Sequence, residues 1–207
     1  MGDYIKVPHM IEERSFQIIT KELGDKTFPE DMGKIIKRII HTTADFHYAD
    51  ITVLSPGAIE AAKDAILSGA NIITDTKMAM AGINKTKLAQ YGGKVDCFIS
   101  DDDVANMAKE KGTTRAMAAM EKAVTNEDNK IFVIGNAPTA LFVLKEYIEE
   151  GKIKPELVVG VPVGFVGAAE SKEALEKLNV PYIVTRGRKG GSTVAAAIVN
   201  AILYMLP

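Results

Sequence analysis

The alternation of apolar and polar positions predicts a helix over residues 32–43. At 100° per residue, one stripe of this helix contains Met32, Ile35, Ile36, Ile39, Ile40 and Thr43. Such a stripe is typical of a helix packed on a core. His41 points away from the stripe, and Arg38 shares its face one turn earlier. If the last turn stays helical, we expect Asp45 to join them, so that an arginine, a histidine and a carboxylate project together.

The rest of the chain alternates short β-branched runs with helical segments, which is typical of a parallel sheet covered by helices. A first helix is predicted over residues 9–23 with Gly24 as its stop, and Pro29 opens the next helix. Ser55 is predicted to cap a helix that ends at Leu67, and Asp101 to begin another helix. Strands are predicted at residues 51–54, 71–74, 94–99, 130–134, 157–163 and 181–185. We therefore expect one α/β domain over residues 1–207, with a doubly wound, mostly parallel sheet flanked by helices.

Composition narrows the class of protein. The 207 residues are 47% hydrophobic and 25% charged with a formal net charge of −2, which is ordinary for a globular protein and argues against a nucleic-acid binder driven by net charge. No apolar run approaches the ~20 residues of a membrane-spanning helix, and residues 1–6 lack a signal-peptide pattern. The single Cys97 allows no intrachain disulfide. We expect a soluble, cytoplasmic protein, and the three histidines with Cys97 form no recognisable set of metal ligands.

Cations and helix starts suggest an anionic ligand. Arg115 is the only charge in residues 113–120, and three cations (Arg186, Arg188 and Lys189) precede the last helix. Gly135 and Asn136 follow a strong strand, where we expect unpaired backbone N–H groups that attract anions. The glycine spacing fits neither a Walker A loop nor a dinucleotide fingerprint, so carboxylates suit these clusters as well as phosphates do. A solvated helix face for His41 and a surface cation for Arg115 remain the alternatives.

A histidine able to exchange a proton near neutral pH makes a proton-transfer enzyme acting on an anionic ligand the hypothesis that chemistry alone supports. Five longer segments of the chain also match the sequence pattern of a known family. Together they resemble the precorrin-8X methylmutases, also called cobalt-precorrin-8 methylmutases, over nearly the whole chain. The segments are Ile11-Glu12-x-x-Ser15-Phe16, Arg38-x-x-His41-Thr42-Thr43-Ala44-Asp45-Phe46, Gly135-Asn136-Ala137-Pro138-Thr139-Ala140-Leu141-Phe142, Pro162-Val163-Gly164-Phe165-Val166-Gly167-Ala168-Ala169-Glu170-Ser171-Lys172 and Gly187-Arg188-Lys189-Gly190-Gly191-Ser192.

The resemblance implies a homodimer of cobalamin biosynthesis that needs no external cofactor. It implies migration of a methyl group between neighbouring carbons of ring C of precorrin-8X or cobalt-precorrin-8, a suprafacial sigmatropic shift that gives hydrogenobyrinate or cobyrinate. His41 would protonate the ring C nitrogen, and Ser15 and Arg38 match substrate-contact positions. Further candidate substrate contacts are Thr42, Thr43, Asp45, Gly135 and Asn136. From charge, we infer that the acetate and propionate groups of the tetrapyrrole bind Arg115, Arg186, Arg188 and Lys189.

Some alternatives stay open. Many members of the family have Arg-Ser-Ala where this chain has Arg115-Ala116-Met117, so no hydroxyl contact is expected there. A non-catalytic tetrapyrrole carrier is the competing function, and a nucleotide-binding enzyme is a more distant one. Residues 194–203 are apolar nearly all round, which suits either a dimer interface or a helix buried within one subunit.

Overall fold

The computed structural model describes residues 6–207, which form a six-stranded sheet with helices on both faces. Residues 1–5 belong to the stretch without a signal-peptide pattern and to the predicted domain, and lie outside the described residues. The strands are β1 (Thr52–Leu54), β2 (Asn71–Thr74), β3 (Val95–Asp96), β4 (Asn129–Ile134), β5 (Leu157–Gly160) and β6 (Tyr182–Thr185). The helices are α1 (Pro8–Leu23), α2 (Glu30–Thr43), α3 (Tyr48–Ile51), α4 (Ala58–Leu67), α5 (Lys77–Gly82), α6 (Lys85–Ala89), α7 (Asp102–Glu110), α8 (Arg115–Ala123), α9 (Pro138–Glu149), α10 (Ala168–Leu175) and α11 (Ser192–Tyr204).

The sheet has the order β1-β6-β5-β4-β2-β3. Every neighbouring pair is parallel except β1 and β6, which are antiparallel. The predicted doubly wound, mostly parallel α/β fold is therefore confirmed. No helix among residues 6–207 is long and apolar enough to cross a membrane.

Alternate residues of the strands face two separate hydrophobic layers, as the period of two in a strand requires. In β4, Ile131 and Val133 pack in the layer that contains α1, α2, α4 and α11. Phe132 and Ile134 pack in the layer that contains α7, α8, α9 and α10. Both faces of the central strands are therefore buried, which explains why these strands are continuous apolar runs.

The apolar stripe of α2 is confirmed, because its four isoleucines are at most 1% exposed. The helix ends at Thr43, where Ala44 adopts a left-handed conformation (φ 53°) and its N–H donates to the Ile40 carbonyl at 2.7 Å. Asp45 therefore does not continue the face of Arg38 and His41. The predicted helical alignment of these three side chains is wrong, since the chain turns one residue before Asp45.

Two local predictions are corrected by contacts that are distant in sequence. Ser55 does not cap α4 with its side chain: its Oγ accepts a hydrogen bond from the Tyr182 N–H at 2.9 Å and so joins β1 to β6. The apolar helix α11 is buried by its own chain against α2, α4 and α5. Its composition therefore gives no support to a dimer.

Parallel pairing brings the strand ends together. The carboxyl ends of β2, β4, β5 and β6 lie at one edge of the sheet, and the register Thr52↔Thr185 places the start of β1 beside the end of β6. Open α/β sheets bind ligands at this edge. The segment between α2 and β1 and the loop between β6 and α11 meet there.

Candidate active site

His41 lies exposed in the last turn of α2. Its ring centre is 5.3 Å from that of Phe16 on α1, with 42° between the ring planes. Within residues 6–207, neither imidazole nitrogen forms a hydrogen bond or an ion pair. The imidazole is therefore packed on one side by an aromatic ring and has both nitrogens available to a ligand.

Arg38 is held by contacts within the protein. Its Nη1 donates to Glu12 Oε1 at 2.5 Å, and its guanidinium carbon lies 4.9 Å from the ring centre of Phe16 and 5.0 Å from that of Tyr204. Cation–π contacts of this kind add to the ion pair. These four side chains line an open groove of about 1040 Å³ between α1, α2 and the end of α11. Arg38 thus lies on the same face as His41, as predicted, and also joins three helices.

The hydroxyl groups predicted to contact substrate all donate to carbonyls of their own helices. Ser15 Oγ donates to the Ile11 carbonyl at 2.8 Å. Thr42 and Thr43 donate to the carbonyls of Arg38 and Ile39, each at 2.9 Å. Their single hydrogens are used within the helix, the Thr43 oxygen already accepts from the Asp45 N–H at 3.3 Å, and the oxygens of Ser15 and Thr42 can still accept a hydrogen bond.

Asp45 and Lys189 form an ion pair across the carboxyl edge of the sheet. The carboxylate also accepts a hydrogen bond from the His47 N–H at 3.0 Å. Lys189 Nζ is the main cause that lowers the pKa of Asp45 below its ordinary value, with the His47 N–H adding to it. The pair fastens the loop before α11 to the segment that follows His41, so two of the predicted substrate-contact regions meet.

The remaining two cations of the loop before α11 have different partners. Arg186 donates to both carboxylate oxygens of Glu176, from Nε at 3.0 Å and from Nη2 at 2.6 Å. The guanidinium carbon of Arg188 lies 5.2 Å from the ring centre of Phe165, which is 82% exposed. Among the described residues, no carboxylate pairs with Arg188. Arg188 is therefore the cation of this loop that can receive an anionic group without breaking an internal ion pair.

The predicted anion site at Gly135 and Asn136 is already filled by a side chain. The buried carboxylate of Asp75 accepts hydrogen bonds from the N–H groups of Gly135, Asn136 and Ala137, at 2.9, 2.8 and 2.7 Å. Burial raises the pKa of Asp75, and these three bonds oppose that effect. The backbone N–H groups are therefore not unpaired, so this part of the prediction is wrong.

The small size of Gly135 serves a close approach between two parts of the chain. A Cβ at Gly135 would lie 2.7 Å from Ser192 Cα at the start of α11. The space that we expected a ligand to use is thus occupied by backbone, while the side chain of Asn136 remains exposed.

Arg115 begins α8, as predicted, and is exposed. In the described part of the chain, its side chain forms no hydrogen bond or ion pair. Thr114 caps the helix by accepting from the Met117 N–H at 3.2 Å. The hydroxyls of Thr114 and Thr139 are 3.3 Å apart, which places the start of α8 beside the start of α9.

Three residues of this region had no predicted role. Asp75 immediately follows β2, and its position at the carboxyl end of a predicted parallel strand is the sequence feature that could have identified it. Phe165 lies between two glycines, a pattern typical of an exposed loop. Lys172 lies on α10 and is fully buried, and no local pattern distinguishes it from a surface lysine.

Comparison with known proteins places these features in a family. The family model described as precorrin-8X methylmutase matches residues 10–205. The cobalt-precorrin-8 methylmutase of Salmonella typhimurium is 51% identical, with 98% of each chain covered. The precorrin-8X methylmutase of Pseudomonas aeruginosa is 42% identical, also with 98% of each covered. The crystal structure of precorrin-8X methylmutase from Thermus thermophilus superposes with a TM-score of 0.87 at 40% identity, over 94% of this chain and 96% of that one.

Proposed function

The chain belongs to the precorrin-8X methylmutase family, and on this premise we propose that it moves a methyl group on ring C of precorrin-8X or cobalt-precorrin-8. The products are hydrogenobyrinate or cobyrinate, respectively. The reaction is an isomerisation within one molecule, so the protein has to bind the macrocycle and orient it, and in this proposal it also supplies a proton. The observation that carries this proposal is the exposed imidazole of His41, which forms no hydrogen bond or ion pair within residues 6–207 and precedes the segment that is paired with Lys189.

His41 is the proposed proton donor. Protonation of the ring C nitrogen makes the macrocycle electron-poor, which eases migration of the methyl group to the neighbouring carbon. An imidazole can donate a proton near neutral pH and take it back after the shift. Phe16 limits the orientations of the ring, because the two ring centres are 5.3 Å apart. The donor is thereby held in place while its nitrogens stay accessible.

The carboxylate groups of the substrate are the proposed partners of the loop cations. Arg188 and Arg115 have no carboxylate partner among the described residues, so a substrate carboxylate can bind each guanidinium by charge-assisted hydrogen bonds. Lys189 has to exchange Asp45 for the substrate, and Arg186 has to leave Glu176. We therefore rank Arg188 and Arg115 above Lys189 and Arg186 as substrate-binding residues. Substrate contacts by Ser15, Arg38, Thr42, Thr43, Asp45 and Asn136 remain proposals.

The test measures conversion of the substrate to product by the change in its visible spectrum. Wild-type protein is mixed separately with precorrin-8X and with cobalt-precorrin-8, and formation of the corrin chromophore identifies the substrate. A spectrum that shows binding of both macrocycles without rearrangement of either would instead indicate a carrier. Comparison of the two rates also determines whether the natural substrate already contains cobalt. The names of the relatives do not answer this question, because a cobalt-precorrin-8 methylmutase and a precorrin-8X methylmutase are both similar to this chain.

His41→Ala tests the proton donor. Loss of a positioned general acid should lower the rate of methyl migration by about 10²–10⁴-fold while macrocycle binding persists. His41→Gln keeps a polar side chain without an ionisable group and should be equally slow. Added free imidazole should restore part of the rate to His41→Ala only, because that variant leaves space for it. Corrin formation by both variants at the wild-type rate would remove His41 from this role.

A further inference from the structure

Lys172 is a buried cation that the proposed reaction does not use. Its side chain is fully buried, and its Nζ donates to two backbone carbonyls, those of Pro162 at 3.1 Å and Lys189 at 3.0 Å. In residues 6–207, no carboxylate pairs with it. Buried lysines are rare unless paired, because desolvation disfavours the ammonium. Burial lowers the pKa of Lys172 to about 8. The buried ammonium therefore destabilises the folded protein, and a structural role of Lys172 has to offset this loss of free energy.

The two carbonyls belong to two loops at the carboxyl edge of the sheet. We call residues 161–167 the β5 loop and residues 186–191 the β6 loop. Their backbones are in direct contact: the Gly164 N–H donates to the Arg188 carbonyl at 3.1 Å, and the Gly191 N–H donates to the Val161 carbonyl at 2.8 Å. A Cβ at Gly190 would lie 2.1 Å from the Val161 oxygen. No larger residue fits there without separating the loops.

Lys172 approaches this contact from α10, beneath both loops. The Lys189 carbonyl that it binds also accepts a hydrogen bond from Thr185 Oγ1 at 2.8 Å. One backbone oxygen is thus held by two buried side chains, immediately after Arg188. On the exposed side of the same contact, Arg188 stacks on Phe165 of the β5 loop. The geometry of the buried side therefore determines where the exposed cation and aromatic ring lie.

We propose that Lys172 is a positioning residue of the methylmutase, tying the β5 loop to the β6 loop so that Arg188 and Phe165 are presented together to the substrate. It acts through the two carbonyls and does not touch the macrocycle. The proposal rests on the proposed binding of a substrate carboxylate by Arg188. The tether itself can be measured without substrate, because the β6 loop contains three exposed trypsin sites, at Arg186, Arg188 and Lys189.

The experiment compares Lys172→Met with wild type. Methionine keeps a long, flexible apolar stem and removes both donors. We expect trypsin to cleave the native variant faster within the β6 loop, and KM for the macrocycle to rise about tenfold while kcat changes little. A merely structural role would reduce the folded fraction, which lowers the apparent kcat and leaves KM unchanged. Equal KM and equal cleavage in the two proteins would overturn the proposal.

Two further variants keep the result interpretable. Asn129→Leu removes two buried hydrogen bonds at the opposite end of β4: Asn129 Nδ2 donates to the Ala123 carbonyl at 2.7 Å, and Asn129 Oδ1 accepts from Asn71 Nδ2 at 3.3 Å. It should lower stability without changing KM or cleavage in the β6 loop. Thr185→Val loosens the same Lys189 carbonyl, so it should raise KM and speed cleavage, and its effect combined with Lys172→Met should be less than the product of the two. If Lys172→Met does not fold, Thr185→Val tests the same Lys189 carbonyl, and unchanged KM and cleavage in that variant would overturn the proposal.

Failure of the proposed function gives a different result. If Arg188→Ala leaves KM unchanged, substrate binding by Arg188 is wrong, and faster cleavage of Lys172→Met still demonstrates the tether. If Arg188→Ala raises KM and Lys172→Met changes neither KM nor cleavage, Arg188 binds substrate and Lys172 does not position it.

Discussion

Arg188 and Lys189 are neighbours in the chain that differ in what already binds them. Lys189 is paired with Asp45, whereas Arg188 contacts the Phe165 ring and has no carboxylate partner among the described residues. An exposed cation that rests on an aromatic face is oriented without being neutralised. The Arg188 side chain can therefore bind a substrate carboxylate without losing an ion pair. The sequence alone could not show that Arg188 and Lys189 differ in this respect.

Arg188→Ala should weaken binding of the tetrapyrrole about tenfold to a hundredfold, because a charge-assisted hydrogen bond is lost while the fold is retained. Titration of the visible spectrum against protein concentration measures the dissociation constant. Lys177→Ala removes an exposed charge just beyond α10 and is the matched control. A dissociation constant equal to that of wild type would exclude Arg188 from the site.

Lys172 gives a prediction of pH dependence at the residue scale. Its pKa is about 8 in the folded protein against 10.5 as the ordinary value, so between these two pH values the unfolded chain binds more protons than the folded one. The contribution of Lys172 to the free energy of unfolding should therefore rise through this window, by about 3 kcal/mol. Below pH 8 the full cost of the buried ammonium is present.

Lys172→Met isolates this effect. Urea unfolding of both proteins at several pH values gives the difference in their free energies of unfolding, in which the titration of all other groups cancels. Wild type should gain on the variant as pH rises from 8 to 10.5. Two parallel curves would mean that the buried amine does not change its charge in this range.

At the scale of elements, the periodicity of apolar residues correctly predicted the helices and strands that are stabilised by contacts of their own buried face. The period of the isoleucines in α2 and the β-branched runs of the central strands correspond to buried faces, so these predictions are confirmed. The start of α9 was predicted to offer free N–H groups, yet Asp75 occupies them from 60 residues away. Likewise Ser55 binds β6 instead of capping α4. A contact between distant segments leaves no periodic signal in either of them.

Asp75→Asn should lower the free energy of unfolding by about 1–3 kcal/mol, because one carboxylate oxygen becomes an amide nitrogen that cannot accept from the turn before α9. Chemical denaturation measures the change. Asp103→Asn is the control: Asp103 is an exposed carboxylate paired with Lys122, so its loss should matter far less. Equal stability of Asp75→Asn and wild type would mean that the three N–H groups do not depend on the charge.

At the scale of the whole molecule, the topology gathers the candidate site. The five parallel strands β2 to β6 end at one edge, and the antiparallel β1 brings the segment after His41 to the same edge. The parallel strands follow from the alternation of strands with helices that the sequence shows, whereas the antiparallel pairing of β1 with β6 was not predicted. The pairing of Asp45 with Lys189 and the burial of Lys172 depend on how the loops fold onto one another, so they required the three-dimensional structure.

An uncovered apolar stripe on α1 bears on assembly. At 100° per residue, Met10, Ile11 and Ile18 lie within one sector of the helix, Val7 is its N-cap residue, and each of the four is between 41% and 47% exposed. The exposed side chains of Arg14 and Lys21 fall in the same sector, so this surface combines apolar and basic side chains, and clustered exposed apolar residues are a candidate interaction site. Since α11 is buried by its own chain, we now attribute the predicted homodimer to the stripe of α1, packed against a second copy.

Sedimentation should therefore give twice the chain mass of 22.3 kDa, and Ile11→Asp combined with Ile18→Asp should shift the protein towards monomer, because burial of two carboxylates at an apolar interface is strongly unfavourable. Leu67→Asp changes another exposed apolar residue, at the end of α4, and should leave the dimer intact. A monomer of wild-type protein across working concentrations would contradict the homodimer. A dimer that survives both substitutions in α1 has to use another surface, since each of them places a charge within the proposed contact.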